Sequence, residues 1–101
     1  MNNIRSAEIE ELYASARKIS DLADNYRSRY VKMYDVIHDL GSAWQGYDAD
    51  TFYERIGSVR PKYDQMYAVM LQYSEFIRSV AERYERQSEE IAREAAGLVF
   101  E

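Results

Sequence analysis

The stretch that decides the fold lies near the middle of the chain and reads Gly41-Ser42-Ala43-Trp44-Gln45-Gly46-Tyr47-Asp48. It contains the only tryptophan and two of the four glycines in 101 residues. Glycine adopts positive φ at little steric cost, so this stretch can end one helix and reverse the chain. Because long helical patterns flank it on both sides, we interpret residues 41–48 as the turn of a helical hairpin.

The segment before this turn carries a long amphipathic pattern. Its apolar residues recur at alternating steps of three and four, a spacing that places them on one face of an α-helix. The series is Ile9, Leu12, Ala16, Ile19, Ala23, Tyr26, Tyr30, Met33, Ile37 and Leu40. We predict a first helix over about residues 6–40.

The segment after the turn keeps the same alternation of steps. The series is Ala49, Phe52, Ile56, Val59, Tyr63, Met66, Met70, Tyr73, Ile77, Val80 and Tyr84. We predict a second helix over about residues 49–86, followed by a charged tail over 87–101. Asp48 or Asp50 is expected to cap the start of this helix, with Thr51 and Glu54 as a capping box one step later.

Pro61 lies inside the second series. A proline within a helix removes one backbone donor and crowds the carbonyl group four residues earlier, here that of Gly57. The apolar register nevertheless continues across this position without a break. The sequence therefore predicts one helix with a kink near residues 57–61.

The apolar face of each predicted helix is wider than one partner helix can cover. If the two series occupy heptad positions a and d, further large apolar residues fall at e and g. These are Tyr13, Tyr34, Tyr53 and Tyr67 at e, and Leu22, Val36, Val69 and Phe76 at g. A lone hairpin would leave part of this surface in water, so we predict an all-α, antiparallel helix-turn-helix hairpin that dimerises into a four-helix bundle. The seam that we expect to form its core and dimer contacts includes Leu12, Ile19, Tyr26, Met33, Ile56, Tyr63, Met66, Met70, Tyr73 and Ile77.

Composition and charge argue against several classes of protein. The net charge of −5, with basic residues scattered singly, provides no positive stripe for a nucleic acid, and no nucleic-acid partner is expected. No apolar run approaches the roughly 18 residues of a transmembrane helix, and the first residues lack the apolar core of a secretory signal. The absence of cysteine excludes disulfides and thiolate chemistry.

Enzymatic chemistry is not predicted either. Asp35 and His38 have a spacing of three that metal-binding bundles use, but both fall on the outer face of the predicted helix, where a solvated pair is the simpler interpretation. The sequence contains no nucleophile elbow and no phosphate-binding loop. We therefore expect no catalytic residues, no metal, no cofactor and no small-molecule substrate.

Trp44-Gln45-Gly46, placed between two heptad series in a chain of 101 residues, resembles the hundred-residue Trp-Xaa-Gly (WXG) family. This family comprises early-secreted-antigen-like proteins, some associated with virulence, that type VII (ESX) secretion systems export. The resemblance covers nearly the whole chain, from the first helix through the turn to the charged tail. It implies a hairpin that pairs with itself or with a related WXG partner into a four-helix bundle.

The resemblance also implies a route of export and a recognition signal. Members leave the cell without a cleaved leader, and the membrane ATPase of the secretion system recognises them in part. Trp44 and Gly46 correspond to the family's turn motif, which acts together with a tail motif of Tyr followed four residues later by Asp or Glu. Here Tyr84 is followed at that spacing by Ser88, and the nearby acidic residues are Glu85 and Glu89. A looser signal at Tyr84, Glu85 and Glu89, or the tail of the partner, would then serve.

Several alternatives remain open from the sequence. The tail is either a projecting helix that docks through Tyr84, Ile91 and Leu98 or a frayed helix end. Trp44 either plugs the end of the hairpin or docks on another protein. The chain as a whole is a secreted dimeric effector, adaptor or chaperone-like partner, released or retained at the cell surface, or it is a cytoplasmic hairpin adaptor that is never exported. A membrane-active helical protein is disfavoured because the charged faces are acidic on balance.

Overall fold

The computed structural model describes residues 6–99, with side chains up to residue 97. It contains two α-helices, α1 over Ser6–Leu40 and α2 over Tyr47–Val99, and no strand within that range. Hydrogen bonds between the helices join Asp24 to Tyr67, Tyr30 to Asp64 and Tyr34 to Ile56, so the two helices are antiparallel. The all-α helical hairpin predicted from the heptad pattern is therefore confirmed.

Helix α2 is longer at both ends than the sequence indicated. It begins at Tyr47 and continues through residues 87–99, for which the sequence predicts a charged tail. Strong helix formers fill this segment, among them Ala92, Arg93, Glu94, Ala95 and Ala96, so the local propensity alone favours continuation. Pro61 lies inside the helix, and the kink near residues 57–61 stays a prediction. Residues 100 and 101 of the predicted tail lie outside the described residues.

The chain divides into two compact units, which we describe separately. The end unit combines α1 up to Ile19 with α2 from Gln72 onward, and the turn unit comprises Ser20–Leu71. Each unit contains a stretch of both helices. The turn motif belongs to the turn unit.

Small side chains form the core of the end unit. Ala16 and Ala81 are almost completely buried, with 1% and 0% of their surface exposed, and Ser74 is 5% exposed. The Ser74 hydroxyl donates a hydrogen bond of 2.7 Å to the carbonyl oxygen of Ala16. Small side chains of this kind let two helices approach closely.

Tyrosines form much of the core of the turn unit. Tyr30 is 4% exposed, and its ring stacks on Tyr63 with centroids 5.3 Å apart. Tyr26 meets the Tyr30 ring edge-on at 5.3 Å, and Tyr34 meets Tyr63 edge-on at 6.1 Å. Such edge-to-face and offset pairs stabilise a core beyond the area that they bury.

The side of the turn unit that carries the e positions is closed by polar contacts between the helices. Arg60 lies over the Tyr34 ring, 4.8 Å from its centroid, and Arg27 lies over Tyr67 at 5.5 Å. The hydroxyl of Tyr34 donates to the carbonyl oxygen of Ile56 at 2.6 Å. These contacts complete the apolar seam with hydrogen bonds and cation–π pairs.

The opposite side of the turn unit, at the d and g positions, is open. On α2, Phe52, Val59 and Met66 are 37%, 36% and 50% exposed, and on α1, Leu22 and Val36 are 59% and 67% exposed. Because the e positions of the two helices face each other on one side, the d and g positions lie on the other side. We call these five residues the open apolar face.

Candidate functional site

The first part of the turn is an orderly ending of α1. The main-chain N–H groups of Ala43 and Trp44 both donate to the carbonyl oxygen of Leu40, each at 2.9 Å. The Ser42 hydroxyl donates to the carbonyl oxygen of Asp39 at 2.9 Å. Carbonyl groups at a helix end, which lack partners within the helix, are thereby satisfied. Trp44 is thus tied directly to the end of α1.

Gly46 makes the reversal into α2. Its φ is +118°, a conformation that residues with a Cβ atom rarely adopt, and no other residue within 6–99 has positive φ. Its carbonyl oxygen accepts the first helical hydrogen bond of α2, from the N–H of Asp50 at 2.9 Å. Gly46 therefore occupies the N-cap position. Its positive φ explains why the motif has a glycine at this position.

The predicted caps of α2 were wrong. Asp48 and Asp50 lie inside the first turn of the helix, where their charges favour the positive end of the helix dipole. The Thr51 hydroxyl donates to the carbonyl oxygen of Tyr47 at 3.0 Å, one turn back within the helix. The helix starts earlier than the capping signals suggested because Gly46 can take the N-cap conformation itself.

Trp44 packs on the first turns of α2. Its ring centroid lies 5.7 Å from that of Phe52 and 5.9 Å from that of Tyr53. The Tyr53 hydroxyl donates to the carbonyl oxygen of Trp44 at 2.8 Å. The side chain of Trp44 is still 39% exposed, so it is both held and accessible.

Other exposed apolar side chains occur around the tryptophan. Leu40 is 38% exposed, Phe52 is 37% exposed and Tyr47 is 85% exposed. Surface patches of this composition mark contact sites for other proteins more often than catalytic sites. The turn therefore combines a partly exposed indole ring with other exposed apolar side chains.

A groove of about 730 Å³ lies beside the turn on the side of the e positions. Its lining includes Tyr34, His38, Tyr53, Gly57 and Arg60. Burial raises the pKa of the Tyr34 hydroxyl, the neighbouring Tyr63 raises it further, and the Arg60 guanidinium opposes the shift. A phenol with a raised pKa stays protonated at neutral pH, so it is a poor general base. Sequence reasoning missed this groove because no motif marks it.

The three candidate tail residues all belong to the end unit, whereas Trp44 and Gly46 belong to the turn unit. Tyr84 is 36% exposed, and Glu89 is exposed on the surface of α2. Glu85 accepts a hydrogen bond of 3.0 Å from the hydroxyl of Tyr13 on α1. Of the three residues, Glu85 therefore has a partner within its own chain. The side chain of Leu98, a predicted docking residue of the tail, lies outside the described side chains.

The predicted seam residues fall into two groups. Most are half-buried between the helices: Leu12, Ile19, Tyr26, Met33, Ile56, Tyr63, Met70 and Ile77. Met66 and Tyr73, however, are 50% and 61% exposed and contribute little to the core of a single chain. Their positions on α2 are instead available to a second molecule.

Asp35 and His38 are the remaining pair that the sequence offered as possible metal ligands. Asp35 and His38 are both exposed. Residues 6–99 contain no group of three or more His, Cys, Asp or Glu side chains arranged to hold a metal ion. Over the same range, neither helix has a stretch long and apolar enough to cross a membrane.

Comparison with known proteins agrees with this geometry. A family model for proteins of 100 residues with a WXG motif matches residues 6–89. The uncharacterized protein YfjA of Bacillus subtilis (strain 168) is 32% identical over 78 residues, which are 77% of this chain and 75% of that protein. The crystal structure of EsxA from Geobacillus thermodenitrificans (form I) superposes with a TM-score of 0.79 at 20% identity, covering 87% of this chain and 98% of EsxA. At that identity the likeness to EsxA is one of fold.

Proposed function

Because the chain belongs to the WXG100 family, we propose that it is a non-catalytic substrate of a type VII secretion system that acts outside the cytoplasm as a dimeric adaptor, effector or chaperone-like partner. The observation that carries this proposal is the turn. Trp44 is tied to both helices and yet 39% exposed. A side chain that is both held in place and accessible is suited to recognition by a secretion ATPase that binds folded proteins.

The open apolar face supports pairing with a second WXG protein. Its five side chains are all at least 36% exposed. The hydrophobic effect favours covering such a surface, since roughly 25 cal/mol is gained for each Å² of apolar area removed from water. The occupant that we propose is another hairpin of the same kind, either a second copy or a related WXG chain.

The tail of α2 supports a second contact with the secretion machinery. From residue 82 to residue 97 every described side chain is exposed. Tyr84 and Glu89 are accessible there, whereas Glu85 is engaged by Tyr13. We therefore assign the looser tail signal to Tyr84 and Glu89, in place of the family's stricter spacing.

The test is export from the native host. We expect the wild-type chain in the culture supernatant and its loss from the supernatant when the membrane ATPase of the system is deleted. Trp44→Ala is expected to abolish export while circular dichroism and light scattering still report a helical dimer. Matched loss of helicity and dimerisation would mean that Trp44 is a structural plug and not a signal.

The alternative function is that of a cytoplasmic hairpin adaptor. The open apolar face favours it to the same degree, because an adaptor also needs a partner surface. Retention of the wild-type chain in cells that export other substrates of the same system would support this alternative and overturn the proposal of export.

A further inference from the structure

We propose that Tyr53 is a positioning residue for Trp44. It holds Trp44 in the partly exposed orientation that the export machinery recognises. This inference rests on the proposed function. It adds a residue outside the Trp-Xaa-Gly motif, nine positions after the tryptophan, to the surface that is recognised.

The main chain of Trp44 is held from both helices. Its N–H donates to the carbonyl oxygen of Leu40 at the end of α1, and its carbonyl oxygen accepts from the Tyr53 hydroxyl on α2. Between this residue and α2 the chain passes through Gly46, whose backbone is the least restricted of any residue type. The hydrogen bond from Tyr53 therefore joins Trp44 to α2 across the glycine of the turn.

The same tyrosine also sets the orientation of the indole ring. The rings of Trp44 and Tyr53 meet edge-to-face, with an angle of 69° and centroids 5.9 Å apart. Phe52 supports both rings, at 5.7 Å from Trp44 and 5.8 Å from Tyr53. Tyr53 thus contacts the backbone and the side chain of Trp44, whereas the contacts of Phe52 are with the rings.

Loss of the contacts from Tyr53 lowers the population of the Trp44 orientation that the export machinery recognises. A ligand that binds one conformation has an apparent affinity reduced by the fraction of molecules in that conformation. One intramolecular hydrogen bond contributes about 1 kcal/mol net, equivalent to a factor of about five in the equilibrium constant between the recognised orientation and the others. The remaining ring contacts keep Trp44 near the turn in the absence of the hydroxyl.

The experiment compares Tyr53→Phe with Tyr67→Phe in the full-length chain. Both variants remove one hydroxyl from an e position of α2, but the Tyr67 hydroxyl donates to Asp24, away from the turn. Export, helicity, dimerisation and fluorescence anisotropy are measured. Because Trp44 is the only tryptophan, the anisotropy reports on this site alone.

For Tyr53→Phe we expect export lower by up to about fivefold and lower anisotropy of Trp44, with unchanged helicity and dimerisation. For Tyr67→Phe we expect wild-type export and anisotropy.

Two results would overturn the inference: wild-type anisotropy in Tyr53→Phe, or equal loss of export in both tyrosine variants. Failure of the proposed function is distinguishable, because the wild-type chain would then not be exported at all. The anisotropy of Tyr53→Phe tests the positioning role in that case as well.

Discussion

The hydroxyl of Ser74 on α2 donates a hydrogen bond of 2.7 Å to the main-chain carbonyl oxygen of Ala16 on α1, in the buried core of the end unit. Its neighbour Tyr73, which the heptad pattern assigned to the seam, is 61% exposed. A small polar residue therefore lies inside while a large aromatic one lies outside. The inward face of α2 in this unit is rotated by one position from the a and d seam toward position e.

Ser74→Ala should lower the free energy of unfolding by about 1 kcal/mol, the net contribution of one such hydrogen bond. Urea denaturation followed by circular dichroism measures it. Ser79→Ala is the matched control, because the Ser79 hydroxyl also donates to a carbonyl oxygen, that of Phe76, but is exposed and within its own helix. The control should change stability by less than about 0.5 kcal/mol. Equal effects of the two substitutions would contradict the structural role of Ser74.

Gly46→Ala and Gly57→Ala should have opposite effects on stability. At Gly46 the φ of +118° strains any residue with a Cβ atom, and we expect a loss on the order of 1–2 kcal/mol. Gly57 is helical, and an added Cβ atom would meet nothing within 4 Å. Alanine is the better helix former there by about 1 kcal/mol, so stability should rise. Thermal unfolding of both variants checks the signs, and a neutral Gly46→Ala would contradict the assigned backbone role.

Met66→Glu should prevent association through the open apolar face. Met66 is 50% exposed in the single chain, so the substitution leaves the hairpin core intact while placing a charge where a partner would bury it. Light scattering should report a shift from dimer toward the monomer mass of 11.9 kDa. Gln65→Glu adds a charge at the adjacent exposed position and should leave the dimer unchanged. A Met66→Glu variant that dimerises like the wild type would show that this face is not the interface.

The hydrogen bond between Tyr30 and Asp64 should make stability decline at alkaline pH. The Tyr30 hydroxyl donates to the carboxylate at 2.6 Å. This bond, followed by burial and by the charge of Asp64, raises the pKa of Tyr30 above its ordinary value of 10.0, while Arg27 opposes the shift. Because the folded state holds the proton more tightly, its stabilisation is complete below pH 10 and is lost as the pH rises through the raised pKa.

Chemical denaturation at a series of pH values between about 8 and 11 tests this expectation. Tyr30→Phe should show a smaller alkaline loss of stability than the wild type. Tyr47→Phe, at a side chain that is 85% exposed, should retain the wild-type decline. Identical profiles for the wild type and Tyr30→Phe would contradict the prediction.

Much of the local structure was predictable from the sequence. The alternating apolar steps indicated both helices, and the glycine-containing stretch around Trp44 indicated the turn, because periodicity and backbone freedom are properties of short segments. The caps of α2 were not predictable in the same way. Asp48, Asp50 and Thr51 are all good capping residues, but Gly46 could form the N-cap one turn earlier.

The support of the candidate site was not visible in the sequence at all. Tyr53 and Trp44 are nine residues apart and lie on different sides of the reversal, so no helical spacing relates them. Only the geometry of Gly46 brings the Tyr53 hydroxyl to the Trp44 carbonyl. The groove that Tyr34 and Arg60 help to line depends in the same way on two chain segments that meet only after folding.

By itself, the sequence determined that this protein is a helical hairpin with Trp44-Gln45-Gly46 at its turn and more apolar surface than one hairpin buries. The tertiary structure decided which part of that apolar surface is buried between the helices. At the e positions, small side chains such as Ser74 and hydroxyl groups such as that of Tyr34 find acceptors on the other helix. At the d positions, Phe52, Val59 and Met66 have no polar group to satisfy, and they stay exposed for a partner. A heptad pattern does not distinguish these two sides, because large apolar residues occur on both. Hydrogen bonding across the helix pair distinguishes them only once the helices are packed.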